Sequence, residues 1–340
     1  MSDTDPLTPP QKNLKKVAGK LGPWLIAIAV LYFVFESVSI TSVMDSARQV
    51  NLAIFLPFLF FHLLFTFLWD SNVYSLLFRW FKVPVTFREM LPFRGASYLL
   101  FVVNFFAGQG GMAFIMSRWK KVPIKRASSI LMFGMFTDYY LLLAFCLAGA
   151  FHLPGVDLVA FFDGTDQGSL VRFIVISWFL FAVHIGYYRL YMPSPRAKGV
   201  KKYEIFSTFR EAPITLYLKL MMVRSGTFVV GIFVNYFSLA AFDLHVPLNY
   251  LFVYLPIVWL ISSIPITVMG LGTTQAAMLW LVARFAEGSG GPDEVAAAVL
   301  AFSLLWWFLF NLGRSFIGAV CLFQLPKGIR LRHKTVENSG

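Results

Sequence analysis

The chain has 340 residues, 58% of them hydrophobic and 14% charged, with a mean hydropathy of +0.70. A soluble domain carries about 25% charged residues, so there are too few charges here to cover a water-facing surface, and a soluble enzyme is excluded. The net charge of +12 comes without a nucleic-acid-binding motif, and Cys146 and Cys321, the only cysteines, are too few for a disulfide framework or a cysteine-rich zinc site.

Residues 1–22 form a basic tail with Lys12, Lys15, Lys16 and Lys20 ahead of the first apolar run. No small-residue cleavage site follows, and Glu36 interrupts the run, which predicts a retained helix rather than a signal peptide. A membrane-spanning helix needs about 20 mostly apolar residues. The runs 24–42, 52–69, 127–151, 170–191, 216–241 and 295–323 meet that length and are expected to be spans of one bundle, residues 23–323, with a second basic tail at 324–340. Two further apolar stretches, 95–117 and 249–286, are each broken by glycine or proline near the middle.

Cytoplasmic loops collect Lys and Arg. With the N-terminus inside, Arg79, Lys82, Arg88 and Arg94 also fall inside. The next cluster, Arg118, Lys120, Lys121, Lys125 and Arg126, belongs on the same side, although 95–117 lies between. That stretch is therefore expected to enter, turn at Gly108-Gln109-Gly110-Gly111 and return. The loop 153–168, with Asp157, Asp163 and Asp166 and no Lys or Arg, then falls outside, while Arg189, Arg196, Lys198, Lys201, Lys202, Arg210 and the C-terminal basic residues fall inside. Calcium binding by the acidic loop is the lesser reading beside a solvated loop. Asp243 and the group Glu287, Asp293 and Glu294 both suit the outside, so 249–286 is a second returning segment, turning between Ile264 and Gly272. The expected architecture is an all-α integral membrane protein of the cell (inner) membrane, with about six full spans plus two Gly/Pro-broken hairpins, N-in and C-in.

Broken helices that meet from opposite faces are a feature of transporters, and irregular backbone at membrane depth must be satisfied by protein or water. Both turns are therefore expected to face one interior site. Close helix packing is the alternative reading of the glycines. Ionisable residues inside a membrane face the interior or a partner, which singles out Glu36, Asp138, Arg224 and Arg314. Asp138 lies about 18 Å along a helix from Arg126 and is the leading candidate, with a buried structural pair to Arg224 or Arg314 as the alternative. Asn104, Gln109, Thr273, Thr274, Gln275 and Asn311 are uncharged polar groups suited to a headgroup path or to bonding between helices. The five histidines, His62, His152, His184, His245 and His333, lack zinc-ligand spacing, and no serine-hydrolase elbow or phosphate-binding loop is present. No enzyme activity, metal or cofactor is expected.

Two motifs carry a resemblance. Ile264-Pro265-Ile266 through Gly270-Leu271-Gly272 to Gln275-Ala276, and Asn104, Gly108 and Gly111 followed by the basic Arg118–Lys121 segment and Asp138, resemble the flippase-like membrane domain of lysylphosphatidylglycerol synthases and their stand-alone relatives. The chain departs from that pattern where relatives carry charge: Met112, Ala113 and Phe114 follow the first motif, Gly134 and Met135 precede Asp138, and Thr274-Gln275 close the last motif. No aminoacyl-transferase domain follows Phe323, so synthase activity is not implied.

The resemblance implies a lipid flippase that moves a headgroup between leaflets along Asn104, Gly108, Gln109, Gly111, Asp138, Arg224, Pro265, Gly270, Gly272, Thr274, Gln275 and Arg314. Arg118, Lys120, Lys121, Lys125 and Arg126 would gather anionic headgroups, or simply set orientation. The expected partners are membrane lipids, anionic ones among them, and no nucleic acid. The alternatives are a non-transporting partner of a lipid-modifying or envelope complex and an intramembrane lipid-modifying enzyme.

Overall fold

The computed structural model describes residues 9–101, 105–150, 166–191, 204–264 and 266–325. Among the described residues five helices are each long and apolar enough to cross a membrane: α3 (Leu52–Trp80), α6 (Ile124–Ala150), α7 (Asp166–Gly186, continued by a π-turn to Tyr191), α9 (Ile214–Leu239) and α12 (Pro292–Gln324). The expected span 24–42 falls in a bent helix pair, a sixth candidate span if the pair is taken as one. Helix α1 (Pro9–Ser37) stops, and α2 (Ile40–Gln49) leaves it at 88°. The run Ser37-Val38-Ser39 explains the break: the Ser37 hydroxyl donates to the Val34 carbonyl at 2.8 Å, and the Ser39 and Thr41 hydroxyls bond each other at 2.7 Å. Such local bonds compete with the helical ladder.

The expected span 52–69 is corrected, because α3 runs on to Trp80. The polar stretch that begins at Asp70 does not end the helix, since Ser71 and Ser75 turn their hydroxyls back to the carbonyls of Phe67 and Asn72 at 2.7 and 2.8 Å.

Residues 87–120 form a first hairpin, α4 (Phe87–Phe101) and α5 (Phe105–Lys120). Its arms are antiparallel. The Lys120 ammonium donates to Glu89 at 3.1 Å, the Phe93 and Trp119 rings lie 4.5 Å apart, and Gly111 and Gly108 press on Leu100 and Phe101. At 1.5 Å per residue each arm is about 22–24 Å long, shorter than the roughly 30 Å hydrocarbon core. The expected turn at Gly108–Gly111 is corrected: these residues are helical within α5. Their lack of side chains serves packing, since a Cβ on Gly108 would lie 2.2 Å from the Phe101 ring and one on Gly111 2.1 Å from Leu100 Cδ1.

The second hairpin is α10 (Leu248–Ser263) and α11 (Thr273–Leu281), with the break between them where the sequence placed it. Its base is closed by a two-stranded antiparallel ribbon, β1 (Leu244–His245) against β2 (Glu287–Gly288), pairing Leu244 with Gly288 and His245 with Glu287. The chain thus leaves and returns at one point.

The two hairpins start from opposite ends of the bundle. The Asn51 amide, at the start of α3, donates to the Ala241 carbonyl at 2.9 Å, three residues before the ribbon. The first hairpin begins just beyond the other end of α3, a helix about 43 Å long. That end also gathers Lys82, Arg88, Lys121, Lys125, Arg126 and Arg210 beside the short helix α8 (Ser207–Glu211), whereas the ribbon end carries Asp45, Asp243, Glu287, Asp293 and Glu294.

Apolar packing is divided in the same way. One core cluster lies toward the ribbon end, where Phe55 meets Phe242 and Phe302 edge to face, and a second toward the basic end, where Phe133 meets Phe81, Phe209 and Tyr217. Helices α4 and α12 approach closely through small residues, since a Cβ on Gly318 would lie 3.1 Å from the Gly95 carbonyl oxygen. Cys321 packs on Gly95 and Cys146 is buried among apolar side chains, so both cysteines are packing residues.

Candidate functional site

Between the two apolar clusters lies a charged layer. Asp70, Arg224 and Arg314 each stand ten residues from the basic end of α3, α9 and α12, a depth of about 15 Å. Arg224 donates to both carboxylate oxygens of Asp138 on α6, at 2.7 and 2.6 Å, and through Nη1 to Asp70 Oδ1. The other Asp70 oxygen accepts from Arg94 Nη2 at 2.7 Å. The result is a chain Arg94–Asp70–Arg224–Asp138 tying α4, α3, α9 and α6 together. A charge removed from water is strongly unfavourable unless it is paired and hydrogen-bonded, and this alternation of sign meets that condition.

Of the two pairings the sequence left open for Asp138, the structure contains the one with Arg224. Asp70 and Arg94 were missed. The expected span ended at residue 69, and Arg94 was counted with the cytoplasmic basic residues; it is instead 4% exposed, stacked on the Tyr74, Tyr98 and Phe101 rings at 4.7–5.0 Å. The available signal was a lone carboxylate in a continuing helical phase with Tyr74, Leu77 and Phe78.

Arg314 stands apart from the chain of pairs. Among the described residues no carboxylate bonds it, and its Nε has no hydrogen-bond partner. Its guanidinium lies against the Tyr98, Phe101 and Phe310 rings at 4.5, 5.0 and 5.8 Å. With Arg94 and Arg224 it makes three guanidiniums against the carboxylates of Asp70 and Asp138, so the layer carries one positive charge in excess.

Arg314 borders a cavity of about 310 Å³. Phe101 reaches it from the tip of the first hairpin, Ser262, Ser263, Met269 and Thr274 from the turn of the second, His62 from α3, and Trp307 and Asn311 from α12. The tips of both hairpins therefore border one cavity. His62 Nδ1 also lacks a hydrogen-bond partner among the described residues.

The turn of the second hairpin is held by bonds that satisfy its backbone. Met269, Gly270 and Gly272 have φ of +54°, +74° and +84°, a region that side-chain-bearing residues rarely adopt. The Gly272 amide donates to Gln275 Oε1 at 2.7 Å, Trp307 Nε1 to the Met269 carbonyl at 3.0 Å and Thr273 Oγ1 to the Gly270 carbonyl at 3.1 Å, while the Ser262 and Thr274 hydroxyls bond at 2.8 Å. Gly272 also abuts α1, where a Cβ would lie 3.0 Å from the Ala27 carbonyl oxygen.

Of the expected path residues, Thr274 and Arg314 line the cavity, Asp138 and Arg224 lie in the charged layer, and Gly270 and Gly272 shape the turn. Gln275 is fully buried and engaged in holding that turn. Gln109 donates to the Tyr74 hydroxyl at 3.1 Å, close to the charged layer. Gly108 and Gly111 serve the first hairpin, and Asn104 and Pro265 lie outside the described residues. Glu36 is exposed on α1, away from the cluster. In the basic group, Lys120, Lys125 and Arg126 face Glu89, Glu204 and Glu211 at 3.1, 3.9 and 2.6 Å, whereas Arg118 and Lys121 are exposed.

The fold and site define a multi-pass helical membrane protein whose two opposed hairpins meet at a polar cavity beside a charged layer. The model of the lysylphosphatidylglycerol synthase TM region matches residues 21–313, a range that contains both hairpins and most of α12, and the chain belongs to that family. Comparison with curated proteins and with solved structures gave no match.

Proposed function

We propose that the protein moves lipid headgroups between leaflets of the cell membrane through the cavity between the hairpin tips. One observation carries this reading: two helical hairpins based at opposite ends of the bundle border the same cavity near mid-depth, where Arg314, Asn311 and the hydroxyls of Ser262 and Thr274 stand among apolar side chains. In this reading both hairpins are re-entrant, and the basic end, with both chain termini, faces the cytoplasm because Lys and Arg collect there. Broken helices at the midplane expose polar backbone and hydroxyls to a headgroup while acyl chains stay in lipid. No bond is made or broken, so no catalytic group is assigned. The five basic residues beside the first hairpin contribute mainly through Arg118 and Lys121, which pair with no carboxylate among the described residues.

A second reading, a non-transporting partner that positions a lipid-modifying or envelope complex, is favoured by the internal pairing of Asp70, Asp138, Arg94 and Arg224. Reconstitution separates the two. Liposomes with fluorescent phospholipid in both leaflets are treated with an impermeant quencher; translocation predicts loss of signal beyond the outer-leaflet share, abolished by Gly272→Leu in protein that still purifies as a monodisperse species. Signal loss equal to that of protein-free vesicles across several headgroups would favour the partner reading.

A further inference from the structure

We infer that the cavity and an adjoining apolar groove form a single site for a phospholipid of net negative charge, with its phosphate on Arg314 and an acyl chain in the groove. This deepens the translocation reading and rests on it. The groove, about 760 Å³, lies between α5, α6, α7, α10 and α11, mostly apolar but with Arg284 also on its lining. Phe173, Ile257, Leu260, Ile261, Trp280 and Leu281 line it, and Phe173 and Trp280 are 40% and 68% exposed, so it opens sideways toward the bilayer. Ser263 lines both the groove and the polar cavity. One elongated molecule can therefore have its polar end in the first and its apolar end in the second.

The sign of the polar end follows from charge. The layer has one guanidinium more than it has carboxylates, and the unmatched one, Arg314, borders the cavity. Asp70 and Asp138 are already bonded to arginines, and among the described residues no Asp or Glu lines the cavity. A planar guanidinium suits a phosphate bidentately, and the hydroxyls of Thr274 and Ser262 stand on the same wall. A zwitterionic headgroup would bring its own ammonium and leave the excess charge in place. The Tyr98 and Phe101 rings hold the Arg314 guanidinium by cation–π contact, which leaves its charge unneutralised.

The test is native mass spectrometry of the purified full chain, titrated in detergent with phosphatidylglycerol or phosphatidylcholine of the same acyl chains. Phosphatidylglycerol is expected to reach half-occupancy at about tenfold lower concentration; equal occupancy by both lipids would overturn the proposal. Arg314→Gln should remove that preference and Arg314→Lys restore part of it, whereas a preference unchanged in Arg314→Gln would overturn the assignment. Should the glutamine variant not fold, Leu260→Trp, which fills the groove without changing any charge, decides: binding of phosphatidylglycerol should fall, and unaltered binding counts against the site. Millimolar inorganic phosphate should leave the lipid bound; displacement by phosphate alone would reassign the cavity to a free anion. Selective binding with no transbilayer movement would sink the translocation reading and keep the site, while transbilayer movement by Arg314→Gln that keeps the wild-type preference for phosphatidylglycerol would do the reverse.

Discussion

At the residue scale the governing feature is a buried run of alternating charge. Arg224 holds two carboxylates at once, so its removal leaves both Asp70 and Asp138 without their main partner. Breaking a buried pair by deleting one member costs about 3–5 kcal/mol. Arg224→Gln is therefore expected to lower the unfolding midpoint in detergent by far more than a surface substitution, and Asp138→Asn to lower it less, because Asp70 still holds Arg224. Combined, the two changes should cost clearly less than their sum, since residues in one network couple; additive effects would contradict the network. At the membrane edge, the Ser289 hydroxyl and amide both donate to Asp243 and hold its carboxyl below the usual carboxylate value. A depressed carboxyl stabilises above its unfolded-state value and loses that contribution as pH falls through the native one. Amide protection in the β1–β2 ribbon, measured relative to the intrinsic exchange rate, should thus fall as the medium is acidified below about pH 4, and Ser289→Ala should weaken the ribbon at neutral pH and shrink that acid-dependent loss. An acid-dependent loss unchanged in Ser289→Ala would mean that the ribbon is held by other contacts. Asp138, Arg224 and Arg314 were legible as ionisable residues in apolar runs, and Arg224 as one of two candidate partners of Asp138, but Asp70 and Arg94 were not. Which carboxylate meets which guanidinium depends on helix packing, which a single sequence does not state.

At the element scale the glycines divide by what surrounds them. Gly110 is exposed, with open space where a Cβ would stand, whereas a Cβ on Gly108 would meet the Phe101 ring at 2.2–2.4 Å. Both are inside α5, where glycine is worse than alanine by about 0.5–1 kcal/mol. Gly110→Ala should therefore raise the thermal midpoint slightly, while Gly108→Ala should lower it, because overpacking a close contact costs about 1–3 kcal/mol. Equal effects would show that the arms of the hairpin do not press together there. The returning character of both hairpins was readable from the distribution of Lys, Arg and acidic residues, and the second turn from Ile264 to Gly272 by its own chemistry. The first turn was misplaced because Gly108–Gly111 looks like a loop in sequence, yet small residues also serve helices that touch. The break between α1 and α2 was hidden inside an apolar run for a related reason: hydropathy averages over Ser37-Val38-Ser39, whose hydroxyls redirect the backbone.

At the scale of the whole molecule, the charged layer and the cavity lie between an apolar cluster at the basic end and another at the acidic, ribbon end. This division suits a protein that presents polar groups at mid-depth and keeps both rims tightly packed. The membrane class was legible from composition alone, and the opposed hairpins from loop charge. The meeting of their tips was not, because it requires α12 to bring Arg314, Asn311 and Trp307 beside Ser262, Met269 and Thr274. The most direct test of opposed hairpins around one mid-depth cavity is side-specific labelling. Lys121→Cys at the base of the first hairpin and Glu287→Cys at the base of the second are both exposed positions, and the native Cys146 and Cys321 are buried. In sealed, oriented vesicles an impermeant maleimide should label Lys121→Cys only from the cytoplasmic side and Glu287→Cys only from the opposite side. Labelling of both from one side would contradict the opposed arrangement and, with it, a path that runs from leaflet to leaflet between the tips.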